Sequence, residues 1–268
     1  MSTKDKDTKR LEEHLSEAMR ESNITDYLFI ASNGSVNYDL VIESSDIDSK
    51  LVSIPTLEDL VFKSRGEKSI THSMSDNGEH VDIKDVYSMF SMFKKQNMNF
   101  LELMFAEYYI VNPAYKSYFD KLLEHKEEVA RYDQVAAVNC TIGHMRHKLS
   151  YLENHLDKKD HQFDKNYHNI LRLHYYLVKY VNGFPYKQCI SSWTPKQKEK
   201  LISIKTGNYD REEAIEESKK IIEMSDSIRS DFISNGIVRN NDISTFLDSL
   251  ALEIIKESVK ANAFKTHT

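Results

Sequence analysis

Apolar residues follow two different spacings along this chain, and the change from one to the other divides it into two parts. Before about residue 112, strand-length apolar runs such as Tyr27-Leu28-Phe29-Ile30-Ala31 and the alternating stretch 46–54 indicate β-strands. Four segments with helical spacing accompany them: 9–21, 56–61, 84–95 and 99–105. The first part is therefore predicted to form a small sheet flanked by helices.

A hairpin is predicted between residues 67 and 83. Asn77-Gly78 is a strong turn signal, and strand-like residues at 67–74 and 79–83 flank it. The second arm contains Val81-Asp82-Ile83. Because side chains alternate between the faces of a strand, Asp82 is expected on the open face and its two neighbours in the core.

Helical spacing dominates after Pro113, where no convincing strand is found. The predicted helices span 114–125, 127–157, 164–182, 195–205, 210–235 and 242–262. Gly183-Phe184-Pro185 marks a clear stop between two of them. We therefore predict an α+β fold: a small mixed-sheet domain, residues 1–112, followed by an all-helical domain, residues 113–268, with the active site in the cleft between them.

Composition favours a folded protein with a sizeable core. The 268 residues are 40% hydrophobic and 10% aromatic, and the 7 Gly and 4 Pro are few, which favours helices over loop-rich β structure. The formal net charge of −6 excludes binding of duplex DNA through overall positive charge. Any contact with nucleic acid would require a local basic patch.

Three features bear on the compartment. Cys140 and Cys189 lie in or beside apolar helical segments and are expected to be buried free thiols in a reducing compartment. No apolar run approaches the roughly 20 residues of a membrane span, and Met1 to Arg10 has no secretory apolar region. We therefore expect a cytoplasmic protein, of a cell or of a virus replicating in one, with no membrane contact.

Candidate chemistry is concentrated around a Gly-Ser turn and three carboxylates. Gly34-Ser35 ends an apolar strand, Asp46 and Asp48 follow two residues apart, and Asp82 lies on the hairpin. An Asp-x-Asp pair alone more often marks a solvated turn. Together with the turn and the third carboxylate it predicts a Mg²⁺ site, since Mg²⁺ prefers oxygen ligands completed by substrate phosphates.

Other metal and phosphate sites fit the sequence less well. Lys50 and Leu51 occupy positions where a calcium-binding EF-hand needs a ligand and a glycine, and no Gly-x-x-x-x-Gly-Lys phosphate loop is present. His144 and His147 are three apart on a predicted helix, but no third ligand accompanies them, so that zinc is not expected.

The turn and the carboxylates resemble the nucleotidyltransferase superfamily of DNA polymerase beta. The closer resemblance is to predicted nucleotidyltransferases with a Gly-Ser-x-x-Tyr-Gly turn, some of which are linked with RNA repair. The segments that carry it, within about residues 25–112, are Gly34-Ser35-Val36-Asn37-Tyr38-Asp39-Leu40, Ser45-Asp46-Ile47-Asp48, Ile54-Pro55-Thr56-Leu57-Glu58-Asp59-Leu60, Val81-Asp82-Ile83-Lys84 and Asn99-Phe100-Leu101-Glu102-Leu103. One departure is Asp39, which stands where that group often has a second Gly.

The resemblance implies a catalytic domain that transfers a nucleoside monophosphate from an NTP to an acceptor. Two Mg²⁺ ions, with Mn²⁺ as the alternative, would be held by Asp46 and Asp48, and Asp82 would hold the catalytic ion and accept the acceptor's proton. Gly34 and Ser35 would cradle the β- and γ-phosphates. Tyr38, which matches the turn tyrosine, would pack near the nucleotide; a core tyrosine is the alternative.

A helix in the second part carries a basic stripe. Lys165, His168 and Arg172 fall on one face of 164–182, and the resemblance includes a basic helix of this kind. The stripe is either a clamp for the triphosphate or a solvated face. Lys84, beside Asp82, is a weaker candidate for a phosphate contact, because such a lysine is more often exposed.

Two function hypotheses remain open. The first is the nucleotidyltransferase, whose acceptor would be RNA or tRNA at its 3′ end, a protein or a small molecule. The second is a catalytically silent protein of the same fold that binds a partner protein, as an inhibitor or antitoxin-like factor would. The last two predicted helices carry apolar residues that are core or, alternatively, a homodimer face: Ile215, Ile221, Ile222, Leu247, Leu250 and Ile254.

Overall fold

A five-stranded mixed sheet is formed by the first part of the chain. In the computed structural model, which describes residues 3–43, 45–62, 70–77, 79–156, 161–207, 209–235 and 239–265, its strands are β1 (Tyr27–Asn33), β2 (Asp48–Ser53), β3 (Ile70–Ser73), β4 (His80–Asp85) and β5 (Tyr109–Val111). The strand order is β3-β4-β2-β1-β5, in which β2 and β4 are parallel and the other neighbours antiparallel. With the helices that follow, this confirms the predicted α+β class.

The predicted hairpin brings β3 beside β4. The two strands pair antiparallel, with Ile70 opposite Ile83, and thus place Asp82 within the sheet. Residues 67–69 and Gly78, which the hairpin prediction also covered, lie outside the described residues. The strand predicted from residue 46 begins only at Asp48, so that Asp46 belongs to the loop before β2.

One face of the sheet is covered by a long N-terminal helix. This helix, α1 (Thr3–Glu21), buries Leu11 and Ala18 against Ile30, Leu51 and Val81 of the three central strands. The alternation predicted for β2 is confirmed: Leu51 lies in this core, whereas Lys50 and Val52 face the opposite side. The carboxylates and the helical part therefore share the other face.

The other helices are α2 (Leu57–Phe62), α3 (Val86–Lys94), α4 (Met98–Leu101), α5 (Lys116–Glu124), α6 (Lys126–Arg131), α7 (Gln134–Asn154), α8 (His161–Val181), α9 (Tyr186–Ser191), α10 (Pro195–Lys205), α11 (Arg211–Ser234) and α12 (Asn241–Lys265). The single helix predicted over 127–157 is wrong, because Asp133 accepts a hydrogen bond from the Ala136 N–H and starts a new helix there. The short α9 was not predicted. None of the helices in the described part of the chain has the length and apolar character that crossing a bilayer requires.

The core is continuous across the predicted boundary at residue 112. Phe29 and Val52 of the sheet belong to the same buried cluster as residues of α5 to α12. The six apolar residues of α11 and α12 for which a dimer face was the alternative are buried within the chain, which confirms the core interpretation. The division into two domains stays a prediction.

Helix α8 is the centre of the helical part, since α7, α9, α10 and α11 all pack on it. Leu177→Ala should lower the free energy of unfolding by about 2–5 kcal/mol, because Leu177 is fully buried and a cavity would remain. Val178→Ala, one residue later and 36% exposed, should change it by no more than about 0.5 kcal/mol. Chemical denaturation of both variants would check this, and equal losses would contradict the assigned packing.

Candidate functional site

A cavity of about 620 Å³ lies between the sheet and helices α7, α8 and α10. Eight of the residues singled out from the sequence line it: Gly34, Ser35, Tyr38, Asp46, Asp48, Lys165, His168 and Arg172. Asp82 and Lys84 are not among its lining residues. The folded chain thus brings the predicted turn, the Asp-x-Asp pair and the basic stripe together around one space.

The Gly-Ser turn forms one end of the cavity. A 3₁₀ turn, Gly34–Val36, follows β1. Gly34 has a φ of +80°, a backbone conformation that residues with a Cβ rarely adopt. Lys205 at the end of α10 donates hydrogen bonds from Nζ to Ser35 Oγ (2.7 Å) and to the Leu40 carbonyl (2.7 Å). A cation from the helical part therefore lies directly on the turn, which the sequence did not predict.

Asp39, in the same turn, adopts a left-handed backbone conformation. Its φ is +56°, in the left-handed region that Gly, Asn and Asp tolerate better than other residues. Its carboxylate accepts a hydrogen bond from Lys198 Nζ (2.5 Å). Asp39 thus connects the end of the turn to α10.

The Asp-x-Asp pair faces the cavity from the start of β2. Asp48 Oδ1 accepts a long hydrogen bond from the His80 N–H (3.3 Å). Burial, and then the negative charge of Asp46, raise the pKa of Asp48 above its ordinary value. Two carboxylates that repel each other in a partly enclosed space are stabilised by a cation between them.

Asp82 lies on the same face of the sheet, one strand further towards the edge. In the parallel pair of β2 and β4 its register partner is Lys50, and its Oδ1 accepts a hydrogen bond from Thr71 Oγ1 (2.9 Å). Lys50 thus lies directly opposite Asp82 and two residues along β2 from Asp48, and both carboxylates act on its charge. Within the described residues, no three His, Cys, Asp or Glu side chains are grouped closely enough to hold a metal ion by themselves.

The donor set still fits one Mg²⁺ held jointly with a substrate. Asp46 and Asp48 supply two hard oxygen ligands on the cavity wall. Mg²⁺ is commonly bound by one or two carboxylates and completed by substrate phosphates and water. Asp46 and Asp48 are therefore the residues that would hold it, and the predicted second ion and the role of Asp82 in binding stay predictions.

Lys50 is a buried cation that the sequence pattern did not reveal. It is only 4% exposed, and its Nζ donates hydrogen bonds to Asn33 Oδ1 (3.2 Å) and the Asn99 carbonyl (2.5 Å). Burial lowers its pKa, against the opposing effect of nearby carboxylates led by Glu102. A lysine on the open face of a strand is normally solvated. Lys50 is buried because helices cover this face of the sheet, which the alternation along the strand does not indicate.

Tyr38 links the turn to the helical part. Its hydroxyl donates a short hydrogen bond to the buried Glu102, and the Arg172 guanidinium lies 3.8 Å from its ring centroid. Burial raises the pKa of Glu102, while Lys50 and Arg172 act to lower it. Tyr38 is 7% exposed and lines the cavity, so it serves both as a core residue and as part of the wall.

The basic stripe of α8 points inward. Arg172 is 4% exposed and His168 6% exposed, which excludes a solvated face for both, whereas Lys165 is exposed at the cavity mouth. Burial, followed by the charges of Arg172 and Lys205, lowers the pKa of His168 to about 3, so its ring is neutral. Arg172 Nη1 and His168 Nε2 are buried without a hydrogen-bond partner in the described part of the chain.

Glu79 fixes the loop that carries the Asp-x-Asp pair. Its Oε1 accepts a hydrogen bond from the Ile47 N–H (3.0 Å), between the two aspartates, and its Oε2 accepts one from Arg10 Nε (2.6 Å). Burial acts to raise the pKa of Glu79, but these hydrogen bonds outweigh it and lower the pKa to about 2. The carboxylate thus ties the loop to α1 on the opposite face of the sheet.

We expect Glu79→Gln to lower the free energy of unfolding by about 1–3 kcal/mol at pH 7, because it weakens hydrogen bonds made to a charge. The stabilisation by Glu79 is complete above pH 4.5 and is lost as pH falls towards about 2. The difference between wild type and variant should therefore shrink over that interval in thermal unfolding. Glu223→Gln, at an exposed position on α11, is the matched control and should leave the unfolding curve unchanged.

No protein-family model matches the chain, and no curated protein is significantly similar to it. The resemblance to the polymerase beta superfamily therefore rests on the quoted residues alone. The function has to be argued from the geometry and charge of the cavity.

Proposed function

We propose that the protein is a Mg²⁺-dependent nucleotidyltransferase, which moves a nucleoside monophosphate from an NTP to an acceptor hydroxyl or phosphate. One observation carries the proposal: a single cavity with the Asp46–Asp48 pair on the sheet side and Lys165, Arg172 and Lys205 on the helical side. An NTP with its bound Mg²⁺ is a common substrate that needs both sides: carboxylates bind the ion, and cations bind the phosphates.

The size and chemistry of the cavity suit a nucleotide. Its volume of about 620 Å³ lies in the range of about 300–1,000 Å³ found for small-molecule sites. The hydroxyl of Ser35 and the ammonium of Lys205 are placed at the Gly-Ser turn, where phosphate oxygens would accept their hydrogen bonds. The aromatic ring of Tyr38 and the guanidinium of Arg172 form a flat, partly apolar wall beside them.

Each group then has a defined part in the reaction. Mg²⁺, held by Asp46 and Asp48 with the phosphates, would neutralise charge and lower the pKa of the attacking hydroxyl. The acceptor oxygen attacks the α-phosphorus and the bond to pyrophosphate breaks. Where the acceptor is a hydroxyl, its proton would pass to Asp82. Lys165, Arg172 and Lys205 stabilise the charge that accumulates on the departing pyrophosphate.

The first test replaces the aspartates of the pair. Asp46→Asn and Asp48→Asn should each abolish Mg²⁺-dependent binding of a non-hydrolysable NTP analogue in calorimetry, because an amide is a poor ligand for the ion. Pyrophosphate release from labelled NTPs, with and without tRNA, should slow by about 100-fold or more. Asp231→Asn, at an exposed position on α11, should behave as wild type.

Two results would contradict the proposal. One is absence of cation-dependent uptake of any of the four nucleotides by the wild-type protein, which would favour the catalytically silent binding module. The other is pyrophosphate release by both aspartate variants at the wild-type rate.

Asp82 is tested separately, because it lies beyond Lys50 and outside the cavity wall. If Asp82 takes the proton of the acceptor, Asp82→Asn should lower kcat by about 100-fold or more and leave the Kd for the NTP analogue unchanged. Rapid-quench kinetics together with calorimetry would separate the two quantities. A variant with normal kcat would remove Asp82 from the reaction while leaving the nucleotide site in place.

A further inference from the structure

Helix α7, which packs on α8 as α10 does, contributes a second basic wall to the cavity. His144 and Lys148 are four residues apart on α7, so they lie on one face of the helix, and both line the cavity. Arg172 of α8 influences both electrostatically and completes the group. Neither α7 residue belongs to the triphosphate site proposed above.

Neutral groups accept the hydrogen bonds of the two cations in this group, although the buried Glu102 also acts on Arg172. Lys148 Nζ is within 3.5 Å of Asn166 Oδ1, and Arg172 Nη2 donates to Asn169 Oδ1 at 3.3 Å, so both cations bond to neutral amide oxygens. Burial, followed by the charge of Arg172, lowers the pKa of Lys148. Two partly dehydrated cations that raise each other's energy are stabilised by an anion placed between them.

Two buried polar atoms beside the group also lack a partner in the described part of the chain. Arg172 Nη1 and His168 Nε2 belong to side chains that are more than nine-tenths buried and line the cavity. A buried donor without an acceptor is costly, and such groups in native proteins are usually satisfied by protein groups or ordered water. Arg172 therefore retains hydrogen-bonding capacity beside the cavity that a bound water or ligand could use.

The α7 group and the Gly-Ser turn lie at different ends of the cavity. Lys205 bonds directly to the turn, and the charges that act on it are those of Asp46, Arg172 and Lys165. The charge that acts on Lys148 is that of Arg172, which therefore lies near both ends. Helix α7 instead packs on α4, which precedes the cavity residue Glu102 and contains Asn99. Asn99 in turn bonds to Lys50, the register partner of Asp82, so this end adjoins the side proposed for the acceptor.

We propose that His144, Lys148 and Arg172 form a second anion subsite, which binds a phosphate group of the acceptor while the NTP occupies the Gly-Ser end. The inference rests on the proposed function and specifies it: the acceptor carries a phosphate near the hydroxyl or phosphate that is modified. Arg172 is shared between the two ends, and Lys148 supplies the charge specific to the acceptor. His144 donates one N–H as a neutral imidazole.

The test uses inorganic phosphate as the probe and the 268-residue chain saturated with Mg²⁺ and a non-hydrolysable NTP analogue. Calorimetry should detect phosphate binding to this complex. Lys148→Ala should weaken phosphate binding by about tenfold or more and leave the Kd of the NTP analogue within about twofold, and Lys148→Arg should restore most of the phosphate affinity. Lys205→Ala should weaken binding of the NTP analogue and leave the phosphate affinity nearly unchanged. Lys220→Ala, at an exposed position on α11, should change neither affinity.

The outcomes separate this inference from the proposed function. Failure of phosphate to bind the NTP-saturated protein, or equal loss of NTP affinity in Lys148→Ala and Lys205→Ala, would overturn the subsite and leave the nucleotidyltransferase proposal standing. Phosphate binding that depends on Lys148 in a protein that takes up no nucleotide would support the subsite and overturn the proposed function.

Competition identifies the source of the phosphate. A short single-stranded oligoribonucleotide and glycerol phosphate would each be titrated against the phosphate-loaded complex. Displacement by either supports the subsite, and the stronger competitor shows whether the phosphate belongs to RNA or to a small metabolite. If neither displaces phosphate from the wild-type protein, the assignment to an acceptor is wrong.

Discussion

The stacking of Arg172 on Tyr38 is the contact on which the rest of the site depends. A guanidinium that is 4% exposed must be matched by negative or polarisable partners, and here a tyrosine ring and the buried Glu102 provide them. Tyr38 belongs to the turn after β1 and Arg172 to the central helix of the second part. The contact therefore fixes the helical part over the sheet and keeps a charged, partly dehydrated space between them.

The two sides of this space have opposite character because they come from different elements. The sheet side contributes Asp48, at the beginning of β2 and bonded to the His80 N–H of β4, and Asp46 in the loop before it. The helices contribute cations whose hydrogen bonds go to neutral oxygens, as with Lys205 and Lys148. Such a division suits a substrate that itself combines phosphates with a metal ion. It also leaves positive charge on the α7 flank that an NTP at the Gly-Ser turn would not use.

Contacts on the face of the sheet opposite the cavity also hold the aspartate pair in position. Asp46 lies in a loop rather than in a strand, so its position is not set by the ladder of hydrogen bonds. Glu79 replaces that restraint, because it accepts the N–H of Ile47 and is itself held by Arg10 from α1. The N-terminal helix thus acts on the site from the opposite face of the sheet, without touching the cavity.

The sequence alone determined the α+β class, the Gly-Ser turn, the aspartate pair and the basic stripe of α8, because each depends on short-range periodicity or on turn chemistry. It also placed Asp82 on the correct face of its strand, since alternation is a local property. Only the tertiary structure decided that Lys50 is buried beside Asp48 and Asp82, that Lys205 reaches Ser35, and that Lys148 and Arg172 share one space. Those relations join residues that are distant in the chain, and which of the many lysines become dehydrated depends on how the helices pack over the sheet.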